Sequence, residues 1–170
     1  MAGVTGVEAN DRKAGMYPGV SLITLGVANI ERSSRFYEQL GWRRSQSTSN
    51  ETISFFALNN IVLALFGAES LAEDSGLAPV AATVSQPRPA ASTSAGQARI
   101  VLAQNHPSPH AVRNAIAAAI QAGAHVLVEP QETFWGGYHG VFADPDGHVW
   151  ELAHNTFFPL AADGTLELPA

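Results

Sequence analysis

Glu151 stands inside an apolar strand pattern, Val149-Trp-Glu-Leu-Ala153, just after Asp144-Pro-Asp-Gly147. Proline pre-sets such a turn and glycine accepts its positive dihedral, so residues 134–155 read as two strands joined by a tight connection. An ionised carboxylate buried alone is costly, so Glu151 needs a metal, a basic side chain or a wet cavity beside it. These surroundings would support different chemistry: Lewis-acid catalysis, charge-paired recognition of a ligand, or proton transfer.

The chain carries 6 histidines that could serve such a site. His148 and His154 lie roughly 20 Å apart along one strand at about 3.3 Å per residue, too far to share an ion. Both have the opposite parity from Glu151 and point to the other face of the sheet. His106 and His110 flank a helix start and read as ordinary loop and first-turn residues. His139, close to Gly136-Gly137, is the histidine best placed to meet a ligand, against the plainer reading of an exposed strand residue. Trp135, Tyr138 and Trp150, with Trp42, Phe55 and Phe56, would either stack on a planar ligand or fill the core. The Asp144–Gly147 turn lacks the spaced oxygens of a calcium loop, and Gly136-Gly137 belongs to no nucleotide-binding pattern.

Composition narrows the partners. A chain of 170 residues with 46% hydrophobic content suffices for one well-packed domain, or for two small halves sharing a core. A formal charge of −6 with only 9 Lys+Arg argues against a nucleic-acid footprint and against an anionic membrane surface. Small molecules or other proteins remain as partners. The absence of cysteine excludes disulfides, thiolate zinc sites and cysteine nucleophiles. Met1–Tyr17 has no signal-peptide apolar run, and no stretch reaches the roughly 20 apolar residues of a membrane span, so a cytoplasmic protein is expected.

The elements that must position these residues follow from periodicity. Val20–Val27 reads as a strand. Asn29 then caps a helix carrying Ile30, Phe36, Tyr37 and Leu40 on one face and ending at Gly41. Extended segments are expected near Trp42–Ser47, Thr52–Leu58 and Ile61–Phe66, and a short helix near Ser70–Asp74. Ser85–Gly96, rich in proline and small residues, reads as linker. The order then repeats: strand Ala98–Gln104, a helix from Ser108 and Pro109 to Gly123, strand His125–Val128 and the pair around Asp144–Gly147. The expected boundaries are a loose arm over 1–18, one domain over 19–156 and a tail over 157–170. Within the domain, module one covers 19–66, the linker 67–97 and module two 98–156. The fold class is α+β, two βαβββ modules around a half-open β cavity.

Leu25-Gly-Val-Ala-Asn-Ile-Glu-Arg-Ser-Ser-Arg-Phe-Tyr-Glu-Gln-Leu-Gly-Trp42 and Phe142-Ala-Asp-Pro-Asp-Gly-His-Val-Trp-Glu-Leu152 resemble the first strand and helix and the last hairpin of the vicinal oxygen chelate superfamily. That superfamily includes glyoxalase I, bleomycin-resistance proteins and extradiol dioxygenases. Its enzymes hold a divalent metal with four side chains, usually His or Gln, Glu, His and Glu. Carried over by position, these fall on Leu22, Ala64, Arg99 and Glu151. A methyl group, an aliphatic side chain and a guanidinium cannot ligate. The resemblance therefore implies an ion pair between Arg99 and Glu151 in place of the metal, lined by Thr24, Gly26, Val101 and Ala103.

The expectation is a homodimeric binding protein that takes a small, partly apolar molecule with no cofactor. Its ligand contacts would come from Arg99, Glu151, Thr24, Val101, Trp135, Tyr138, His139 and Phe56. One alternative is a lyase, isomerase or dioxygenase of the same superfamily, with a divalent metal held elsewhere or with Glu151 as base. Another is an interaction protein with a vestigial cavity.

Overall fold

A computed structural model describes residues 19–59, 61–76 and 100–168 of the chain. Alternation along the first strand, β1 (Leu22–Val27), sends Leu25 and Val27 into the core and leaves Leu22, Thr24 and Gly26 on the opposite face. Asn29 then opens helix α1 (Ile30–Gln39), its side-chain oxygen accepting the Arg32 N–H at 2.8 Å. Gly41, at φ 88°, ends it. Strands β2 (Ile53–Ala57) and β3 (Val62–Gly67) form a hairpin, and β1 runs parallel to β3, giving a sheet of order β1-β3-β2.

The strand expected over Trp42–Ser47 is reduced to a single bridge, Arg44 to Phe56. The polar run behind it explains the loss. Thr48 Oγ1 donates to Ser45 Oγ at 2.7 Å, and Asn50 Oδ1 accepts the N–H groups of Thr52 and Ile53. Such side chains offer the backbone local partners and compete with a ladder.

Helix α2 (Ala68–Asp74) follows β3 and leans on β1, because Gly26 leaves room for Ala68 and Leu71. The expected arm over 1–18 and residues 77–99, which take in most of the expected linker and Arg99 at the start of module two, lie outside the described residues.

In the second module, strand β4 (Leu102–Asn105) leads to α3 (Pro109–Ala122), capped by Ser108 and ended by Gly123 at φ 104°. Strands β5 (His125–Glu132), β6 (Tyr138–Ala143) and β7 (Val149–His154) complete a sheet of order β4-β7-β6-β5. Each sheet thus runs from its first strand to its last and then to the one before the last, and neither closes into a barrel. Helices α1 and α3 cover the core face of these sheets, and α2 rests on the opposite face of β1 at Gly26. Their shared core joins Phe36, Tyr37 and Phe56 of module one to Val112, Ile116, Phe142, Trp150 and Leu152 of module two.

The Asp144–Gly147 turn ties the modules together. Buried Asp144 accepts the Tyr37 hydroxyl at 2.6 Å and the N–H groups of Asp146 and His148 at 2.9 Å each. Asp146 accepts the Ala28 N–H at 2.8 Å and is also bonded to Arg32 and Ser33. Burial, and behind it the Asp144 charge, hold the Tyr37 phenol far above its ordinary pKa, so it stays a donor.

Candidate functional site

β7 positions Glu151 as its parity predicts. Trp150 and Leu152 are buried against the helices, while Glu151 projects from the other, open face. Its ladder neighbours are apolar, Ala103 on β4 and Val141 on β6. Help comes from the diagonal. His139 on β6 pairs with Ala153, one same-face step along β7 from Glu151, and diagonal neighbours lie within reach of long side chains. His139 Nδ1 sits 2.7 Å from Glu151 Oε1. The two side chains are 24% and 30% exposed, so the pair is half-buried and open to solvent on one side.

With the carboxylate as acceptor, Nδ1 is the donor, and Nε2 of His139 has no hydrogen-bond partner among the described residues. Gln131 of β5 is paired with His139 in the ladder and adds an exposed amide to the same face. Trp135 stands just before β6, its indole over Gly137, where a Cβ would fall on the ring. The face thus offers an oriented imidazole and a carboxylate, with the Gln131 amide beside them.

The remaining expected contacts divide. Thr24 is half-buried on the open face of β1, and Val101 is exposed just before β4. Phe56 is fully buried beside Tyr37 and packs in the core instead. Tyr138 turns towards α3: its hydroxyl donates to Pro130 O at 3.0 Å, and the Arg113 guanidinium lies 5.5 Å from its ring centre. Ser54 explains the placing of Phe56. It shares the Phe56 face yet is buried, its hydroxyl 2.9 Å from that of Ser34, so a polar residue occupies the core side of β2.

The chemistry of the donors does not fit the superfamily's metal. Leu22 and Ala64 carry no ligating atom, and among the described residues no three His, Cys, Asp or Glu side chains come together. Glu151 and His139 are two donors already bonded to each other, fewer than a divalent site of this type requires. Neither residue lines the cavity between Trp150 and Ala115 of α3 or the one beside Thr133 and Tyr138.

The family model for the Glyoxalase/Bleomycin resistance protein/Dioxygenase superfamily matches residues 19–152. Among solved structures, a glyoxalase-related enzyme from Fulvimarina pelagi is 34% identical, with 91% of this chain and 100% of that one covered and a TM-score of 0.74. A glyoxalase/bleomycin resistance protein/dioxygenase family enzyme from Burkholderia phytofirmans PsJN is 21% identical, covering 79% and 96%, with a TM-score of 0.64. A glyoxalase/bleomycin resistance protein/dioxygenase from Nocardioides is 21% identical, covering 82% and 85%, with a TM-score of 0.62. No curated protein matches the chain.

Proposed function

The chain belongs to the glyoxalase/bleomycin resistance protein/dioxygenase superfamily, and from that premise we propose that it binds a small, partly apolar molecule on the open face of its sheets through the Glu151–His139 pair. The observation that carries this reading is the pair itself. Where superfamily enzymes gather four ligands, two of the corresponding positions here are Leu22 and Ala64, and the surviving carboxylate is engaged by an imidazole. A ligand would lay an apolar part over Val141, Ala103 and the Trp135 edge, and a polar group on His139 Nε2 or the second Glu151 oxygen. A second copy of the chain closing over this face, giving a homodimer, belongs to the same proposal.

The test is a metal analysis of protein purified without chelators, joined to a ligand screen. The expected result is far less than one divalent ion per chain and at least one small ligand whose affinity falls tenfold or more in Glu151→Gln. About one tightly held divalent ion per chain defeats the metal-free reading.

The geometry favours one further reading, an acid–base enzyme of the same superfamily. A carboxylate on Nδ1 fixes the tautomer and orients the ring, so His139 Nε2 would take the substrate proton and Glu151 would stabilise the imidazolium formed. Turnover of a hemithioacetal that is lost in both His139→Gln and Glu151→Gln selects this reading over binding alone.

A further inference from the structure

On the reverse of β7 from Glu151, Trp150 and Leu152 form one wall of a cavity of about 250 Å³ between the two modules. Helix α3 contributes Ala115 and Ala119, and Leu40 and Trp42 beyond α1 close the other side. The space exists because α3 presents methyl groups here, whereas Val112 and Ile116 on the same helix fill the core. One polar atom is out of place in this lining. His106 Nε2 is buried and has no hydrogen-bond partner among the described residues. The residue itself is held firmly, its N–H donating to Ala153 O at 2.7 Å and its carbonyl 3.0 Å from His154 Nδ1.

A buried polar atom without a partner is rare and unfavourable, so an occupant that supplies the missing bond gains from it. Burial also holds the His106 pKa below its ordinary value, so the imidazole is neutral. A neutral Nε2 either donates or accepts according to tautomer, and a hydroxyl can answer both. The walls carry no charge to recognise an ion.

We propose that this cavity is a second ligand site, separate from the open face, which takes a small uncharged aromatic ring bearing a hydroxyl. The ring lies between Trp150 and the α3 alanines, and the hydroxyl meets His106 Nε2. Size agrees, since an apolar cavity of about 150 Å³ accepts benzene. The larger space here holds a substituted ring.

The probes are p-cresol and toluene, which differ by the hydroxyl, titrated separately into the full chain. Binding is read by quenching of tryptophan fluorescence and by calorimetry. The expected result is one molecule per chain, with p-cresol bound about tenfold more tightly than toluene. His106→Phe keeps a ring and drops the nitrogen, and should bring that ratio close to one. Ala115→Leu should weaken both probes at least tenfold, and Ala118→Phe at the cavity rim should do the same if Ala115→Leu fails to fold. Glu151→Gln should change neither, which separates this site from the open face. The proposal is overturned if neither ring saturates, if the filling variants bind p-cresol normally, or if His106→Phe keeps the preference for the hydroxyl.

Discussion

The His139–Glu151 hydrogen bond can be lost at small cost to the fold, because both side chains are partly solvated and water can replace either partner. Even a fully charged pair at such exposure contributes only about 0–1 kcal/mol. Glu151→Gln and His139→Gln should therefore each lower stability by less than about 1 kcal/mol in urea denaturation. A loss of several kcal/mol would make the pair a structural strut. His106 behaves differently. Its folded-state pKa is depressed by burial, so the unfolded chain binds its proton more readily as the pH falls through about 6.5. Stability from this residue is fully present above that pH and declines below it. His106→Phe should flatten that part of the pH–stability curve relative to the parent chain, and identical curves would contradict the burial. The outward direction of Glu151 was legible from parity alone. Its partner was legible too, had the register been counted from the turn: Asp144–Gly147 puts Ala143 opposite Val149 and hence His139 opposite Ala153. The positions of Phe56 and Tyr138 were not, since Ile53-Ser-Phe-Phe-Ala57 has no clean alternation and Ser54 hides in the core by bonding to Ser34.

At the level of elements, both long helices are readable because their ends are chemically marked. Asn29 and Ser108 accept the first N–H groups, and Gly41 and Gly123 supply the left-handed residue that stops each helix. The second strand of module one failed because Ser, Thr and Asn side chains captured the backbone. Strand β5 ran on to Glu132, past Pro130, with register shifts between Val126 and Gln131 that absorb a residue unable to donate. Helix α3 comes close to β6 at Gly140, where an added Cβ would lie 3.1 Å from Ile116 Cγ1 and 3.3 Å from Pro130 Cγ. Both neighbours are themselves packed, so Gly140→Ala should cost about 1–3 kcal/mol by overpacking. It should also disturb binding on the open face, because His139 is the adjacent residue of the same strand. Unchanged stability in urea would mean that the helix can withdraw freely.

The two modules look like repeats, yet they cannot come apart independently. Tyr37 of the first is packed against Trp150 of the second, and its hydroxyl completes the bonding of buried Asp144. Asp146 reaches across to the Ala28 N–H, Ser33 and Arg32, at the point where β1 gives way to α1. Separating the modules would strip a carboxylate of its donors and expose a shared aromatic core, and both losses fall on the same surface. Unfolding should therefore be a single transition, with circular dichroism and tryptophan fluorescence coincident. Asp146→Ala removes the charged acceptor and leaves the Ala28 N–H and the Ser33 hydroxyl to find other partners. Bonds to a charged group contribute about 1.5–3 kcal/mol each at most, and these share one carboxylate, so a loss of about 3 kcal/mol is expected. The transition should move to lower temperature yet stay single, because the aromatic core still spans both halves. Two resolved steps in the parent chain would show instead that each module holds its own fold and that the turn merely touches its neighbour.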